Sequence, residues 1–400
     1  MKRLGRLAGH RQRGIAIIIV LLITTMLTVL ILDLHQSVRI NFYIATNLID
    51  GVKASYLVRS GIDVGAGVTL RDIQNNNGVD YWGQEWYDFL GKAGVPAIPI
   101  SETESLIMYI NDESGRLNLN NLIDKKGKPV QANVDVFSQL LNNLGLDPTL
   151  ANAVVDYISV GTDTLDGSGA KDSVYGYSSM TPPATAKCSR FESLQEVRMV
   201  TGVTDDVWAQ LEPLVTIYGD PKMNLNTTDV NIIRAVIQAA EPGADPSLAD
   251  KIDQWRQQNG GSGSSGSSSS SSGSMNFGQS DSDNYFTAKN MGKQLQTLGM
   301  DAKVSGRFQK YFGVSSHFFR VTCTAIVNAV QKNGMGVIYV TPQKASVIYY
   351  RVAPGIAPAG SSNGESSPNP GSSNPLSSGQ NAFSSGANGG GRGNSYSTSR

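Results

Sequence analysis

The segment INDESGRLNLNNL, residues 110–122, joins a turn to an alternating pattern of polar and apolar residues. Residues 106–110, LIMYI, form an apolar run typical of a buried strand. The letters NDESG supply turn-forming side chains, and RLNLN then alternates as a half-buried strand does. The pattern therefore predicts a β-hairpin at this point.

The other strand candidates lie far along the chain, at residues 318–330, 337–341 and 345–352. The first of them, FFRVTCTAIVNAV, is rich in the aromatic and β-branched residues that favour strands. Lys332-Asn333-Gly334 predicts the turn of a hairpin between the first two. Since the intervening residues have helical patterns, we predict one sheet domain split by an insertion.

The predicted insertion, residues 124–256, consists of short helices. Apolar residues recur at helical spacing in residues 134–144, 150–160, 193–197, 207–214 and 230–240. Thr227 or Thr228 is the expected N-cap of the last helix. Helices pair around Gly145-Leu146-Asp147 and around Gly202-Val203-Thr204, and such pairs resemble helix-hairpin-helix modules.

The N-terminus has the pattern of a membrane anchor. Residues 15–32 contain no charge, glycine or proline, and a helix of this length spans about 27 Å, close to a hydrocarbon core of roughly 30 Å. Basic residues precede the run and Asp33 follows it, which places the N-terminus in the cytoplasm and the rest of the chain outside. Helical spacing continues through residues 33–71, where four glycines predict some bending or fraying.

A small residue stands before the apolar run rather than after it. Gly14 directly precedes Ile15, whereas residues 30–35 offer no small-x-small signal peptidase site. A basic leader, a glycine and an unbroken apolar helix resemble the class III leader of type IV pilins and type II secretion pseudopilins. That resemblance implies cleavage after Gly14 by a prepilin peptidase and N-methylation of Ile15. A plain signal anchor is the alternative.

Two further features resemble the K-type minor pseudopilins of type II secretion. Residues 110–122 match the family signature D-E-x-G-x-L-N-L-N. Ile19 stands at the fifth position of the mature chain, where most pilins carry a Glu that the K type lacks. The resemblance runs from about residue 11 to 352 and implies an α+β fold. In this fold an N-terminal transmembrane (pilin) helix packs on an antiparallel sheet, which is interrupted by an all-α domain with helix-hairpin-helix-like units.

The resemblance also implies a role, a location and partners. The role is that of a minor pseudopilin at the tip of the type II secretion pseudopilus, priming its assembly and supporting export of folded proteins across the outer membrane. The expected location is the inner membrane, crossed once, with a periplasmic body. The expected partners are the I and J minor pseudopilins, the rest of the pseudopilus and the prepilin peptidase. A minor type IV pilin is an alternative.

A second alternative is a membrane-anchored extracytoplasmic DNA-binding protein of the competence type. Helix-hairpin-helix modules use a G-x-G turn to present backbone N–H groups to a phosphate, but each turn here has one glycine. Asp147, Asp205 and Asp206 stand where the phosphate would lie. Lys plus Arg and Asp plus Glu both number 33, so no net positive charge favours DNA. We therefore expect no nucleic-acid partner.

Residues 161–175, GTDTLDGSGAKDSVY, place oxygen donors at short spacing among glycines, as calcium loops do. The resemblance implies calcium binding here, and the candidate ligands are Asp163, Asp166 and Asp172. The family pattern is Gly-Ala-Glu-Asp-x-x-Tyr, and Lys171 stands at the position of its Glu. A solvated loop without metal is the alternative.

Other residue types restrict the chemistry. Cys188 and Cys323 are the only cysteines, and they are either ordinary thiols or a disulfide, which an extracytoplasmic compartment would permit. The sequence contains no P-loop, H-E-x-x-H or Cys/His pair. We therefore expect no enzymatic activity.

Low-complexity segments define the remaining boundaries. Residues 259–274 are almost entirely glycine and serine, which predicts a flexible linker, and the residues after 354 have few large apolar side chains, which predicts disorder. The predicted organisation is a leader (1–14), a transmembrane helix (15–32), the first part of the pseudopilin domain (33–123), the inserted helical domain (124–256), the linker (257–284), the second part of the pseudopilin domain (285–353) and a tail (354–400).

Overall fold

The computed structural model describes residues 11–76, 78–84, 86–87, 97–165, 167, 169–171, 186–259 and 285–354. Nearly all of the predicted tail and linker lies outside these residues. The helices are α1 (Arg11–Asn75), α2 (Gln131–Asn143), α3 (Leu150–Ile158), α4 (Asp205–Leu211), α5 (Val230–Ala240), α6 (Ser247–Asn259), α7 (Met291–Thr297) and α8 (Ala302–Phe308). Short 3₁₀ helices span Leu119–Leu122 and Leu194–Met199. The strands are β1 (Ile98–Pro99), β2 (Glu104–Asp112), β3 (Leu117–Asn118), β4 (Val215–Thr216), β5 (Met223–Asn224), β6 (Phe312–Gly313), β7 (Phe318–Val327), β8 (Val330–Thr341) and β9 (Lys344–Pro354).

Helix α1 is one uninterrupted helix of 65 residues. Side chains of residues 15–49 are almost all exposed, whereas from Asp50 onwards a buried position recurs every three or four residues. The hydroxyls of Thr24, Thr25 and Thr28 donate to carbonyls three or four residues earlier, which keeps these polar groups compatible with an apolar helix. The helix is long and apolar enough to cross a membrane. Its glycines do not interrupt it, so the predicted fraying is wrong.

A five-stranded antiparallel sheet with the order β1-β2-β7-β8-β9 packs against the second half of α1. Strands β2 and β7 pair over their whole length, from Glu104 opposite Val327 to Asp112 opposite Phe319, although the insertion separates them in sequence. This pairing confirms the predicted split sheet. Its core with α1 includes Ala54, Val58, Ile62, Met108, Ile110, Val321, Cys323 and Ile338.

Glycines on both sides bring α1 and the sheet close together. A Cβ added at Gly61 would lie 2.8 Å from Cys323 Sγ, and one at Gly65 would lie 2.8 Å from a methyl of Val321. On β8, a Cβ at Gly334 would lie 2.1 Å from Cγ1 of Val58. These positions exclude any side chain because the backbone of one element already contacts the side chains of the other.

The predicted hairpin turn at Lys332-Asn333-Gly334 is wrong. These residues lie inside β8, where Gly334 pairs with Cys323. The chain turns earlier, at Asn328, which has φ 50° and whose N–H donates to Thr103 O at 2.9 Å. Position 334 must be glycine because Val58 of α1 packs directly against it. The Asn333-Gly334 pair therefore reflects helix–sheet packing and not a turn.

The insertion is longer than predicted at both ends. It has its own apolar core, which begins at Leu117 and still includes Phe286, Leu295, Phe308, Phe312 and Val314. Residues 285–314, predicted to belong to the sheet domain, therefore pack with the helices that precede the Gly/Ser segment. The sheet resumes at Phe318.

The insertion contains two similar pairings of short strands. Strand β3 pairs in parallel with β4, and β5 pairs in parallel with β6. In each case a strand ending in Asn is followed by helices, and a short strand near the end of that unit returns beside it. Two parallel strands require a long crossover connection between them. In each unit the helices form this connection, and the first and last strands of the unit lie side by side.

Candidate functional site

The exposed half of α1 contains the predicted cleavage site and the apolar run of the predicted membrane anchor. Ile15 is 59% exposed and Ile19 is 52% exposed. Gly14 lies within α1, directly before Ile15. Where α1 meets the sheet, a groove of about 590 Å³ runs between the helix and the edge formed by β8 and β9; it is lined by residues that include Leu48, Val52, Tyr56, Val330 and Tyr350.

The predicted β-hairpin at residues 110–122 is wrong, although its turn is present. Arg116 N donates to Glu113 O at 3.1 Å, and Ser114 N donates to Asp112 Oδ1 at 2.7 Å. The chain then leaves the sheet, because β3 pairs with β4 inside the insertion and not with β2. The D-E-S-G turn is thus the exit from the sheet into the insertion.

The returning chain is fastened to this exit. The backbone N–H groups of His317 and Phe318 both donate to Ser114 Oγ at 3.2 Å. Ser114 also accepts at its carbonyl oxygen, from Asn224 N at 2.9 Å. We call residues 112–114, 224–228 and 316–320, together with Asp80, the junction. Its hydrogen bonds hold the exit and the return of the chain side by side.

Asp112 is the acceptor at the centre of the junction. Its Oδ2 accepts from Ser316 Oγ and Thr227 Oγ1, both at 2.5 Å, and lies 3.4 Å from Asn224 Nδ2. Burial raises the pKa of Asp112, while these two hydroxyl bonds act in the opposite direction. The carboxyl group of Asp112 therefore binds Asn224 and Thr227, which follow β4, and Ser316, which precedes β7.

Glu113 is fully buried and carries two cationic partners. Arg320 Nε lies 2.5 Å from its Oε1, and Arg116 Nη1 lies 3.5 Å away. Thr216 Oγ1 donates to Oε2 at 2.5 Å. An isolated carboxylate would be costly to bury, so the guanidinium groups make this position possible. Glu113 thereby ties β4 and β7 to the exit turn.

Asp80 and His317 make the junction sensitive to protons. Ser316 N donates to Asp80 Oδ2 at 2.6 Å, yet burial raises the pKa of Asp80 to about 8. His317 Nδ1 lies 2.6 Å from Asp220 Oδ2, and this hydrogen bond raises the pKa of the imidazole. Both groups therefore favour their protonated forms in the folded chain.

Two asparagines hold distant segments of the insertion together in the same way. Phe191 N donates to Asn120 Oδ1 at 2.8 Å, and Asn120 Nδ2 donates to Phe191 O at 3.0 Å. Asn226 makes the same pair of bonds to Phe286, at 2.8 and 3.0 Å. We call these the asparagine clamps. Sequence reasoning missed them, although the repeated pattern Asn-Leu-Asn at residues 118–120 and 224–226 could have revealed both.

The predicted helix-hairpin-helix turns have acidic groups at their helix starts. Gly145 has φ 71°, as a one-glycine turn requires. Asp147 Oδ1 then accepts from Thr149 N at 2.9 Å, and the side-chain and backbone bonds to Thr149 lower the pKa of Asp147. At the second turn Thr204 caps α4, and Asp205 pairs with Arg198. These carboxylates occupy positions that a phosphate would need.

The predicted caps Thr227 and Thr228 are wrong, because Asp229 caps α5.

The predicted calcium ligands are only partly described. Asp163 is exposed and its backbone bridges to Ala170; Asp166 and Asp172 lie outside the described residues. Lys171 is 2% exposed, and its Nζ donates to Ser159 at 2.8 Å. An ammonium has no lone pair for a metal, so Lys171 cannot supply the ligand that the family pattern has at this position.

The two cysteines differ in their surroundings and are both free thiols. Cys188 is exposed, and its φ of 51° marks a tight turn. Cys323 is buried under Gly61, and burial raises the pKa of its thiol to about 12. Cys323 is therefore a packing residue of the sheet.

The chain is similar to a known protein family, and the family model matches the first part of the insertion. The family model described as "Type II secretion system (T2SS), protein K" matches residues 115–220. The chain is 27% identical over 251 residues to type II secretion system protein K of Klebsiella pneumoniae, covering 60% of this chain and 74% of that protein. It is 25% identical over 252 residues to the protein of the same name from Pseudomonas aeruginosa, covering 60% and 72%.

The same comparison extends to solved structures. A chain in the crystal structure of the GspK–GspI–GspJ complex from enterotoxigenic Escherichia coli matches with a TM-score of 0.55 and 18% identity. The match covers 76% of this chain and 96% of that chain. It shows that the two chains share a fold.

Proposed function

Because this chain belongs to the type II secretion system protein K family, we propose that it is the minor pseudopilin at the tip of the type II secretion pseudopilus. In this role it primes assembly of the pseudopilus and supports export of folded proteins across the outer membrane. The family is a component of secretion machinery, and neither the comparisons nor the described residues give a positive indication of catalysis.

The division of α1 into two halves is the observation that carries the proposal. From Asp50 to Ile73 every third or fourth side chain is buried against the rest of the folded body, whereas the side chains of residues 15–49 are almost all exposed. This uncovered part is about 52 Å long, more than the roughly 30 Å that a bilayer needs. A membrane covers the apolar residues 15–32 before assembly, and neighbouring pseudopilin helices cover them in the filament. The remaining exposed turns connect the bilayer to the folded body.

Two features support a position at the tip. The insertion, from Leu117 to Val314, has its own core in addition to that of the sheet domain, and this added bulk leaves little room for stacking along a filament. Ile19 replaces the Glu that would pair with the terminal amine of a neighbouring subunit. A carboxylate in hydrocarbon is costly without such a partner, so an apolar residue fits a subunit with no neighbour above it.

The basic residues that precede the apolar run support a cytoplasmic N-terminus and a periplasmic body. In the solved complex from enterotoxigenic Escherichia coli, GspK is assembled with GspI and GspJ, so the I and J minor pseudopilins are the proposed partners of this chain. The groove beside Val52 and Tyr56, of about 590 Å³, is the surface through which α1 would receive a partner helix.

The first test is the intact mass of the membrane-extracted chain, expressed with and without prepilin peptidase. We expect loss of residues 1–14 and gain of one methyl group on Ile15 only when the peptidase is present. An unchanged mass under both conditions would make the chain a permanent signal anchor and would reopen the DNA-binding alternative.

The second test addresses the partners. The chain is co-expressed with the I and J minor pseudopilins and purified in detergent. Val52→Arg, which puts a charge into the groove, should abolish co-purification. Val64 is 54% exposed on α1 but does not line the groove, so Val64→Arg should retain both partners. Equal retention by the two variants would rule out the groove as the contact surface.

A further inference from the structure

The loop that follows α3 surrounds a buried ammonium group. Lys171 is 2% exposed, and its Nζ donates to both the carbonyl oxygen and Oγ of Ser159 at 2.8 Å. Ser159 is the C-cap of α3. The last carbonyls of a helix have no partner within the helix and carry a partial negative charge. The ammonium therefore lies where a cation is favoured both by hydrogen bonding and by the helix dipole.

The backbone of the loop folds back to deliver Lys171 to this position. Lys171 N donates to Thr162 O at 2.8 Å. Thr164 N donates to Gly169 O at 2.9 Å, and Thr164 Oγ1 bonds to both backbone groups of Gly169, at 3.0 and 3.2 Å. The described part of the loop is thus a small closed turn whose polar groups are paired by the protein itself.

A second contact fixes the loop to α3. Leu165 N donates at 2.8 Å to Oδ1 of Asp156, a buried residue of that helix. A carboxylate oxygen of this kind is a common calcium ligand, but here it serves as a backbone acceptor. The loop is consequently held at two points of α3, by Asp156 and by Ser159.

The charge of Lys171 conflicts with a divalent ion in the same loop. Calcium takes six to eight oxygen ligands, and the family places a Glu where this chain has Lys171. The ammonium supplies three donors and no acceptor, and its positive charge repels a metal cation in a buried place. Where the family pattern has a carboxylate that can bind the metal, this chain therefore has a cation that competes with the metal.

We propose that the Lys171 ammonium replaces a divalent metal ion as the group that closes this loop, so that the insertion folds without calcium. The proposal rests on the described loop and not on the tip role, and its failure would leave the tip role standing.

The experiment measures the melting temperature of the detergent-solubilised full chain in EDTA and in about 1 mM calcium, near the weak end of affinities for extracellular calcium modules. We expect the same melting temperature in both buffers and no calcium-binding heat in calorimetry. Lys171→Met should lower the melting temperature by roughly 5 °C. Lys125→Met, at an exposed lysine, is the matched control and should leave it unchanged.

A rise in the wild-type melting temperature with calcium, or binding heat at these concentrations, would overturn the proposal. So would a Lys171→Met variant that melts at the wild-type temperature. If that variant fails to fold, the wild-type calcium titration decides the question alone, because it needs no substitution.

Discussion

The side chain of Asn226 encloses the backbone of Phe286, accepting from its N–H at 2.8 Å and donating to its carbonyl at 3.0 Å. Asn120 holds Phe191 with the same two bonds. In both cases the clamp follows an Asn-Leu-Asn pattern, and the backbone N–H of the second Asn bonds to the side chain of the first. The insertion is therefore built from two copies of one structural unit.

Asn226→Ala should destabilise the insertion strongly. The change removes both bonds to Phe286 and a third bond to Asp80 O, and it leaves buried backbone groups without partners. Each such group costs about 1–3 kcal/mol, so we expect the free energy of unfolding to fall by at least about 2 kcal/mol in urea titrations of the detergent-solubilised chain. Asn142→Ala, at an exposed position of α2, is the control and should change it by less than about 0.5 kcal/mol. Similar losses in both variants would show that the clamp contributes nothing specific.

Gly334→Ala should destabilise the packing of α1 on the sheet. The added Cβ would lie 2.1 Å from Cγ1 of Val58, within a fully buried contact. Overpacking of this kind typically costs about 1–3 kcal/mol, which thermal unfolding can detect. Gly67→Ala is the matched control on α1, since nothing lies within 4 Å of its added Cβ. It should be neutral or stabilising by up to about 1 kcal/mol, because Ala favours the helix. If Gly334→Ala melts like the wild type, α1 does not approach β8 this closely.

The stability of the folded chain should fall as the pH rises towards 8. Burial raises the pKa of Asp80 from 3.8 to about 8, so between these values the folded chain keeps a proton that the unfolded chain releases. The free energy of unfolding then decreases by up to about 1.4 kcal/mol per pH unit for one such group. Above pH 8 both states have lost the proton, so Asp80 no longer makes the free energy of unfolding depend on pH. The raised pKa values of Asp112 and His317 act in the same direction.

Asp80→Asn isolates the contribution of Asp80, because an amide is a neutral substitute for the protonated carboxyl group. We expect the variant to be more stable than the wild type at about pH 8 and similar to it at about pH 4, where Asp80 begins to be protonated in the unfolded chain as well. Urea titrations at the two pH values measure the difference. Asp135→Asn, at an exposed position of α2, should leave the pH dependence as in the wild type. An unchanged pH dependence in Asp80→Asn would mean that Asp80 is ionised throughout this range.

Features set by local pattern were predictable from the sequence. The apolar run from Ile15 to Leu32 predicted a helix, and the observed helix is long and apolar enough to cross a membrane. The spacing of apolar residues located most helices of the insertion, including α5 at its observed bounds, Val230–Ala240. The split sheet was also predicted, since the β-branched and aromatic strands stand at the two ends of a helical region. The structural and family comparisons confirm this α+β fold.

Features set by tertiary contacts were not predictable in this way. Gly334 follows Asn333 and so has the pattern of a turn, but the nearness of Val58 is what requires it. Phe286 follows a Gly/Ser segment and so suggests a new domain, but it belongs to the earlier core because Asn226 holds it. The burial of Lys171 likewise depends on Ser159, twelve residues away. A single sequence contains both partners of each contact without indicating that they meet.

Both sides of residues 260–284 are tied to one short piece of chain. Arg256 Nη1 donates to the carbonyls of Leu225 and Thr228, at 2.6 and 2.8 Å, and Phe286 is held by Asn226 between them. Since these attachments already fix where the segment starts and ends, doubling its length would add only about 0.6 kcal/mol of closure entropy. Expansion or contraction of its serine and glycine repeats is therefore almost neutral for the fold. Mutational drift in length can accumulate there, and a reporter domain can be inserted there without dismantling the helical core.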